Sequence, residues 1–309
     1  MSSQNTRPSL FLHIGIHKTG STFLQKEVFP NLPNIKFWHR PSFNIVGGEN
    51  PTSLSRFMDG SPLIWRDLGD VLWNKLTREV PVHSDILISD EHPVQANDPL
   101  RIEQHLREVK KLVGPSHNLH ILIVIRRQDT WFASAYAEMS NRYNGASQDH
   151  FEEWLQHYIN FEKSFFDSAG VRLRYFTLIQ KIQDAVGQDS VTVLPYELLK
   201  SNPRLFVNQC CNAVNREVPD SISLKPKNKR CTSDGEWSIR PRYNYIQLRP
   251  GRAFQAVFGK SRIPIPDWRR GKKITLNKSL SSLILEKYSS ENEKLDQNLN
   301  LGLKKYGYY

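Results

Sequence analysis

Short apolar runs that alternate with segments of helical spacing constrain this 309-residue chain more than any other feature. The runs have the continuous apolar character of strands that are buried on both faces of a sheet. They predict strands at Leu10–Ile14, Ile86–Ser89, Leu119–Ile125 and Val191–Leu194. The segments between them predict helices at Ser21–Phe29, Leu63–Val80, Pro99–Val113, Thr130–Asn141, Phe151–Phe166, Tyr175–Val186 and Arg204–Val214. Strands that alternate with helices predict an α/β fold with a central, mostly parallel sheet flanked by helices.

The chain changes character after Pro219. Residues 215–237 are polar and basic, and residues 241–271 are rich in arginine, proline and aromatic residues without a clear period. Ser279–Leu299 again has helical spacing, and no internal repeat divides the chain. We therefore predict a single domain, 1–309, with a core at about 9–214 and an irregular basic region plus a terminal helix at 215–309. The loop-rich segment Asn31–Pro62 is predicted to line a substrate site, as long loops in enzymes tend to do.

The balance of charge limits the class of partner. Lysine and arginine number 42 against 31 acidic residues, a formal net charge of +11, which favours nucleic acid, an anionic membrane surface, or anionic small molecules and polysaccharides. The basic clusters at 225–230 and 269–273 lie in no recognisable nucleic-acid module, so no nucleic-acid partner is expected. No apolar stretch approaches the ~18 residues of a membrane span, and Met1–Pro8 lacks the apolar core of a signal peptide. These features predict a cytoplasmic protein.

The three cysteines predict neither a disulfide framework nor a zinc site. Cys210 and Cys211 are adjacent, Cys231 lies in a basic stretch, and no CxxC spacing occurs. We expect all three to be reduced and structural. No cluster of histidine, cysteine and aspartate has metal-ligand spacing, so no metal is expected.

The first candidate site is the turn between the first predicted strand and the helix that follows it. The strand ends at Gly15 and the helix opens at about Ser21, so the loop can present backbone N–H groups and the positive end of a helix dipole to an anion. Lys18 adds a full charge, and the hydroxyls of Ser21 and Thr22 stand at the helix start. The alternative is an ordinary strand–turn–helix connection with a surface lysine.

A Walker A loop is the nearest comparison, and its lysine directly follows the second glycine. In this chain Gly20 is followed by Ser21, and Lys18 precedes the glycine by two residues. No hydroxyl therefore occupies the usual magnesium-holding place. This difference argues against a P-loop kinase that uses ATP and magnesium.

A second candidate site follows the apolar run Leu119–Ile125. Arg126 stands at the carboxyl end of that predicted strand, where α/β proteins form ligand sites, and Ser134 follows eight residues later on the next predicted helix. An arginine fork together with a hydroxyl suits a dianionic phosphate. Each residue alone is common, but the two sites occur in order along one chain.

These two segments resemble the motifs of the PAPS-dependent sulfotransferase superfamily (PAPS, 3′-phosphoadenosine 5′-phosphosulfate). Residues 18–25, KTGSTFLQ, are similar to its 5′-phosphosulfate loop, and the family's 3′-phosphate motif has serine eight and tyrosine ten residues after its arginine, as Ser134 and Tyr136 follow Arg126. Gln128 departs from the family, which usually has proline there. The resemblance covers Leu10 to about residue 230 and implies a P-loop-NTPase-like three-layer sandwich. The donor residues that it implies are Lys18, Thr19, Gly20, Ser21, Thr22, Arg126 and Ser134, and with them Lys227, Asn228, Lys229 and Arg230 from a nucleotide-covering loop.

The sequence ISDEHP at 88–93 supplies the candidate general base. A carboxylate at the end of a strand can accept a proton from an acceptor hydroxyl. Glu91 matches a strand-end glutamate that serves as base in family members acting on carbohydrates, whereas a histidine serves in members that sulfate small phenols and steroids. His92 is therefore the competing residue and Asp90 the third, and an acidic turn without a catalytic role is the alternative. Tyr196 and Glu197 resemble a family pair that packs beneath the nucleotide, and we interpret them as structural.

The sequence thus predicts an enzyme that transfers a sulfuryl group from PAPS, leaving PAP, with Glu91, Lys18 and His92 as candidate catalytic residues. Tryptophans with nearby arginines, at Trp38, Trp65, Trp73, Trp237 and Trp268, would suit an anionic saccharide acceptor, although tryptophan is more often a core residue. Two other functions stay open. One is a P-loop kinase, and the other is a catalytically silent nucleotide- or polyanion-binding module, which burial of Glu91 in a salt bridge would favour.

Overall fold

The computed structural model describes residues 7–43, 52–81, 83–96, 99–160, 172–219, 222, 224, 235–240, 244–247, 262–265 and 272–309. Its strands are β1 (Ser9–His13), β2 (Ile35–His39), β3 (Ser42–Phe43), β4 (Thr52–Ser53), β5 (Asp85–Ser89), β6 (Asn118–Ile125), β7 (Val191–Pro195), β8 (Glu236–Ser238), β9 (Asn244–Gln247), β10 (Arg262–Ile265) and β11 (Lys273–Thr275).

The helices are α1 (Ser21–Phe23), α2 (Leu54–Asp59), α3 (Ile64–Thr77), α4 (His92–Ala96), α5 (Pro99–Val113), α6 (Gln128–Met139), α7 (Gln148–Asn160), α8 (Tyr175–Val186), α9 (Tyr196–Ser201), α10 (Pro203–Asn212) and α11 (Lys278–Leu299). α1 continues as a π-helical turn, Leu24–Val28, and a 3₁₀ turn, Phe29–Asn31. Further 3₁₀ turns are Ser140–Arg142, Gln188–Ser190 and Leu303–Tyr306. No helix in the described part of the chain combines the length and the apolar content that crossing a membrane requires.

The central sheet has five strands in the order β2-β5-β1-β6-β7, and all of its pairings are parallel. β1 lies in the middle, with Leu12 beside Ile88 of β5 and beside Ile121 of β6. The chain proceeds from β1 to β2 on one side of the sheet and later crosses from β5 over β1 to β6. The strand order therefore reverses at β1, and ligands of open α/β sheets bind outside the carboxyl ends of the strands at such a reversal.

Side-chain alternation along the strands makes both faces of this sheet apolar. On one face Phe11, Leu87 and Leu122 pack with Leu24 and Val28 of the segment after β1, and with the buried residues of α10. On the other face Leu10, Leu12 and Ile88 line one apolar cavity together with residues of α3 and α5, namely Trp65, Leu72, Trp73, Leu76, Val109, Leu112 and Val113. Helices thus cover both faces, and the predicted α/β fold with a parallel central sheet is confirmed.

The chain divides into two compact units. The first contains the described residues of 1–128, 161–227 and 283–309, and so holds the central sheet. The second contains those of 129–160 and 228–282. It has two antiparallel pairs, β8 with β11 and β9 with β10, and an aromatic core in which Tyr136 contacts Tyr143, Phe151 and Trp154. The single-domain prediction is not tested by this division, since compact units of one chain can belong to one domain.

Two predicted segments differ from the structure. The segment Asn31–Pro62 contains β2, an edge strand of the central sheet, and α2, so the loop prediction is wrong for these residues. β2 is only partly buried, and its sequence IKFWH lacks the continuous apolar character that marks the inner strands. The region between Pro219 and the terminal helix carries the short strands β8 to β11 in its described parts, where the sequence shows no clear period.

Candidate functional site

The loop between β1 and α1 has an unusual backbone. Lys18 has φ of 69° and Gly20 has φ of 88°, so both lie in the left-handed region. A Cβ atom on Gly20 would lie 2.9 Å from Leu199 Cδ2 and 3.3 Å from the Tyr196 ring, so only glycine fits there. Lys18 has a side chain and adopts this conformation at a cost, which surrounding contacts have to offset.

The hydroxyl groups of this loop have different surroundings. Thr19 is buried, and its Oγ1 donates to the carbonyl oxygen of Ile16 at 2.5 Å, so it closes the loop on itself. Ser21 is buried and Thr22 is exposed. Bonding to the Gly20 carbonyl begins with the N–H of Phe23, so the N–H groups of Ser21 and Thr22 precede the intrahelical hydrogen bonds, as at any helix start. The two amides are therefore better placed than the Thr19 hydroxyl to meet an anion.

Arg126 lies at the carboxyl end of β6 and reaches the same loop. Its Nη1 donates to the carbonyl oxygen of Lys18 at 2.8 Å, and its guanidinium carbon lies 4.8 Å from the centre of the Tyr196 ring. Only 4% of Arg126 is exposed. The structure therefore brings together Lys18 and Arg126, which the sequence predicts for opposite ends of one nucleotide.

The backbone around Arg126 is held by groups buried beneath it. The Tyr175 hydroxyl donates to the carbonyl oxygen of Arg126 at 2.6 Å, and burial raises the pKa of Tyr175 well above its usual value, which keeps it protonated. Glu197 accepts from the N–H of Arg127 at 3.2 Å and from the Tyr308 hydroxyl at 2.6 Å. Through these two hydrogen bonds Glu197 fixes the backbone of the turn at Arg127 and the side chain of Tyr308, which agrees with a structural role.

Gln128, which departs from the family motif, is buried in the first unit. Its Nε2 donates to Asn292 Oδ1 at 2.8 Å and to the carbonyl oxygen of Leu173 at 3.1 Å, while Asn292 Nδ2 donates back to Gln128 Oε1 at 3.0 Å. Asn292 also donates to the carbonyl oxygen of Tyr308 at 3.0 Å. The amide at 128 therefore joins the Arg126 turn to the terminal helix α11, a contact that proline could not make.

Glu91 and its neighbours lie at the carboxyl end of β5, next to the start of the Lys18 loop. The N–H of Asp90 donates to the carbonyl oxygen of His13 at 3.0 Å. Glu91 is 8% exposed, and its Oε2 accepts from Arg40 Nη2 at 3.1 Å. The candidate base is therefore buried in an ion pair. Asp90 is also buried, and its Oδ1 accepts from the N–H of His92 at 3.0 Å.

His92, the competing candidate, faces a different group. Its Nε2 lies 2.9 Å from both carboxylate oxygens of Asp59, at the end of α2. The structure therefore separates the two candidates, since Glu91 contacts Arg40 and His92 contacts Asp59.

Sequence reasoning missed Arg40 and a buried network around His13. Arg40 follows β2 with φ of 47°, and its N–H donates to the carbonyl oxygen of Ser89 at 3.2 Å. Ser89 Oγ lies 2.7 Å from His13 Nδ1 and accepts from Gln25 Nε2 at 2.9 Å. Complete burial lowers the pKa of His13 to about 3, so the ring is neutral. Arg40 could have been found from its position directly after β2, but the sequence pattern did not reveal that edge strand.

The other residues that the sequence singles out belong to the second unit, to the core, or to the part of the chain outside the described residues. Ser134 is buried in the part of α6 that belongs to the second unit. Lys227, Asn228, Lys229 and Arg230, together with Cys231 and Trp268, lie outside the described residues. Trp65 and Trp237 are buried, and Trp65 Nε1 donates to His105 Nδ1 at 2.9 Å, so these two tryptophans are core residues. Within the described residues no group of three or more histidine, cysteine, aspartate or glutamate side chains is placed to hold a metal ion.

No protein-family model and no curated protein matches the chain. The solved structures that are similar to it include the following three. A sulfotransferase from Alicyclobacillus acidocaldarius has a TM-score of 0.49 at 15% identity, and the match covers 72% of this chain and 87% of that one. The mouse sulfotransferase SULT7A1 complexed with PAP has a TM-score of 0.41 at 12% identity, over 72% of this chain and 67% of that one.

The third similar structure is a sulfotransferase domain from the curacin biosynthetic pathway. Its TM-score is 0.37 at 13% identity, and the match covers 96% of this chain and 98% of that one. All three are sulfotransferases, the superfamily that the two phosphate motifs resemble. With TM-scores below 0.5, none of them assigns a donor or an acceptor to this chain.

Proposed function

We propose that this protein is a sulfotransferase that moves a sulfuryl group from PAPS to an acceptor hydroxyl or amine, with a carbohydrate as the first acceptor class to test. The observation that carries the proposal is the hydrogen bond from Arg126 to the Lys18 carbonyl. It joins two separately predicted phosphate motifs at the carboxyl edge of a parallel sheet, where the strand order reverses. A cytoplasmic location belongs to the proposal, because Cys210 and Cys211 are free thiols, as expected of a reducing compartment.

In the proposed reaction the acceptor oxygen or nitrogen attacks sulfur in line with the bridging oxygen. The new bond to sulfur forms while the bond from sulfur to the bridging oxygen breaks, PAP leaves, and the acceptor proton passes to Glu91. Lys18 and the amides of Ser21 and Thr22 stabilise the charge that develops on the bridging oxygen. Arg126 and Ser134, with Lys227, Asn228, Lys229 and Arg230, are proposed to bind the 3′-phosphate. As in phosphoryl transfer, positioning and electrostatics supply most of the catalysis, but the proposed reaction differs from phosphoryl transfer in using no metal ion.

The Glu91–Arg40 ion pair sets a condition on this mechanism. The hydrogen bond from Arg40 occupies Glu91 Oε2, so an acceptor hydroxyl has to compete with Arg40 for that oxygen. The Arg40 side chain is 51% exposed, whereas the Glu91 side chain is 11% exposed. The proposed mechanism requires that an acceptor hydroxyl replace Arg40 as the partner of Glu91 and that Arg40 turn toward the solvent to which it is already half exposed.

The same ion pair favours a second function, a nucleotide- or polyanion-binding module without transfer activity. If Arg40 remains bound to Glu91 when an acceptor is present, the acceptor cannot pass its proton to that carboxylate, and no transfer follows. A P-loop kinase is disfavoured by the position of Lys18 two residues before Gly20.

Titration of the protein with PAP and with ATP–magnesium, followed by a transfer assay, separates the three functions. A sulfotransferase binds PAP in preference to ATP–magnesium and transfers label from PAPS to a member of a panel of polysaccharides, glycolipids and small alcohols. A silent module binds PAP without transfer to any acceptor, and a kinase prefers ATP–magnesium. Adenosine 5′-phosphosulfate, which lacks the 3′-phosphate, should bind much more weakly than PAPS. Equal binding of these two would contradict the 3′-phosphate role proposed for Arg126 and Ser134.

A further inference from the structure

Arg126 is almost completely buried, and three residues of the first unit contact it. Its guanidinium donates to the Lys18 carbonyl and stacks on Tyr196, and its own peptide groups bond to the Tyr175 hydroxyl through Arg126 N–H at 3.4 Å and Arg126 C=O at 2.6 Å. A side chain held at both its head and its backbone has little freedom to reorient. Arg126 is therefore a fixed part of the site before any nucleotide enters.

Lys18, whose carbonyl oxygen accepts from Arg126, has a strained backbone. Lys18 occupies the left-handed region, which is unfavourable for a residue with a side chain. Its carbonyl oxygen receives a charge-assisted hydrogen bond, the strong kind. Tyr196 touches both ends of this arrangement, because its ring lies under the guanidinium and against the position of Gly20.

We propose that Arg126 is a positioning residue for the 5′-phosphosulfate loop, in addition to any contact with the 3′-phosphate. Its hydrogen bond to the Lys18 carbonyl holds the loop in the left-handed conformation that a donor nucleotide meets. A guanidinium has five N–H donors, so one can stay on Lys18 while others bind phosphate. The inference deepens the proposed function and rests on it for the identity of the ligand.

The experiment compares Arg126→Lys with Arg126→Met, using Ser134→Ala as the matched control. Lysine and methionine both keep an unbranched stem over Tyr196, but only lysine can donate to the Lys18 carbonyl. Ser134→Ala removes the other predicted 3′-phosphate contact and leaves the guanidinium in place. Binding of PAP and of adenosine 5′-phosphate, which has no 3′-phosphate, is measured by calorimetry, and hydrogen exchange at the amides of residues 17–22 is measured without ligand.

We expect Arg126→Met to weaken the binding of both nucleotides by about 10- to 100-fold, because one charge-assisted hydrogen bond is lost. We also expect it to speed hydrogen exchange in the loop. Arg126→Lys should retain adenosine 5′-phosphate affinity within a few fold and keep exchange close to that of the wild type. Ser134→Ala should weaken the binding of PAP but leave the binding of adenosine 5′-phosphate unchanged. If Arg126→Met binds adenosine 5′-phosphate like the wild type and its loop exchange is unchanged, the positioning role is overturned.

The two proposals fail differently. If the wild type binds neither nucleotide, the proposed donor site is wrong, and the exchange data still decide whether Arg126 orders the loop. If Arg126→Met unfolds, seen as a lost thermal transition, Arg126→Lys carries the decision through its adenosine 5′-phosphate affinity and loop exchange. Weaker binding of adenosine 5′-phosphate together with faster loop exchange in Arg126→Lys, neither of which occurs in Ser134→Ala, would then contradict the proposal that a hydrogen bond from residue 126 to the Lys18 carbonyl holds the loop.

Discussion

At the residue scale, Glu91 is the side chain on which the enzymatic proposal depends. Glu91→Gln keeps the shape and a hydrogen-bonding oxygen toward Arg40, but an amide cannot accept the proton. Since a general base contributes about 10²- to 10⁴-fold to rate, transfer should fall by that order while PAP affinity changes by no more than a few fold. Initial rates with labelled PAPS and calorimetry with PAP measure the two quantities.

His92→Ala is the paired control, because His92 contacts Asp59 and not Arg40. Its effect on the rate should be much smaller than that of Glu91→Gln. A dead histidine variant together with an active glutamine variant would reverse the assignment. Full activity in both would mean that the proton goes to another group.

His13 predicts a dependence of stability on pH. Its pKa in the folded protein is about 3 against 6.5 in the unfolded chain, so between these values the unfolded chain binds the additional proton. The free energy of unfolding therefore falls as pH decreases from 6.5 to about 3, by at most about 1.4 kcal/mol per pH unit from this group. Buried His105, whose pKa is lowered to about 4, acts in the same direction.

Urea unfolding at several pH values, in the wild type and in His13→Gln, isolates the contribution of His13. Glutamine does not titrate, so the variant should lose less stability than the wild type across this window. Because all other groups are common to both proteins, identical pH profiles would show that His13 is not buried as a neutral ring.

At the scale of elements, the Gln128–Asn292 pair joins the start of α6 to α11. Both amides are buried in the first unit, so removal of one leaves the other with unsatisfied groups. Gln128→Ala and Asn292→Ala should each lower the free energy of unfolding by roughly 1–3 kcal/mol. The double variant should lose less than the sum, since the second substitution removes an amide that has already lost its partner in the pair. Chemical denaturation of the four proteins gives the coupling energy, and strict additivity would contradict direct pairing.

The central elements of the fold were predictable from the sequence because burial on both faces produces continuous apolar runs. The inner strands β1, β5 and β6 and the edge strand β7 carry such runs, and all four predicted strands are present. β2 was missed because an edge strand is only partly buried and carries lysine, tryptophan and histidine. The contacts of Glu91 depended on that missed strand, since Arg40 follows it directly. Local patterns predicted the Lys18 loop and the position of Arg126 at a strand end. The hydrogen bond between them joins residues that are distant in the sequence, so no local pattern could predict it.

At the scale of the whole molecule, binding of PAP should raise the melting temperature, because a ligand that binds only the native state stabilises it. At a PAP concentration of about 100 times the dissociation constant the gain is about 2.7 kcal/mol, or roughly 4 °C for a chain of this size. Lys18→Ala should lose about a third to nine tenths of this shift at the same PAP concentration, since loss of a charged contact weakens binding by roughly 1–3 kcal/mol. Thermal unfolding with and without PAP measures both.

The net charge of +11 supplies a competing origin for such a shift, since any polyanion is attracted to a basic protein. Dextran sulfate distinguishes the two origins, because attraction to overall charge does not require Lys18. If the shift with PAP comes from the donor site, Lys18→Ala reduces it and leaves the shift with dextran sulfate nearly unchanged. ATP–magnesium should give a smaller shift than PAP. Equal shifts of wild type and Lys18→Ala with PAP would mean that PAP binds through general charge, and Lys18 would then have no place in the donor site.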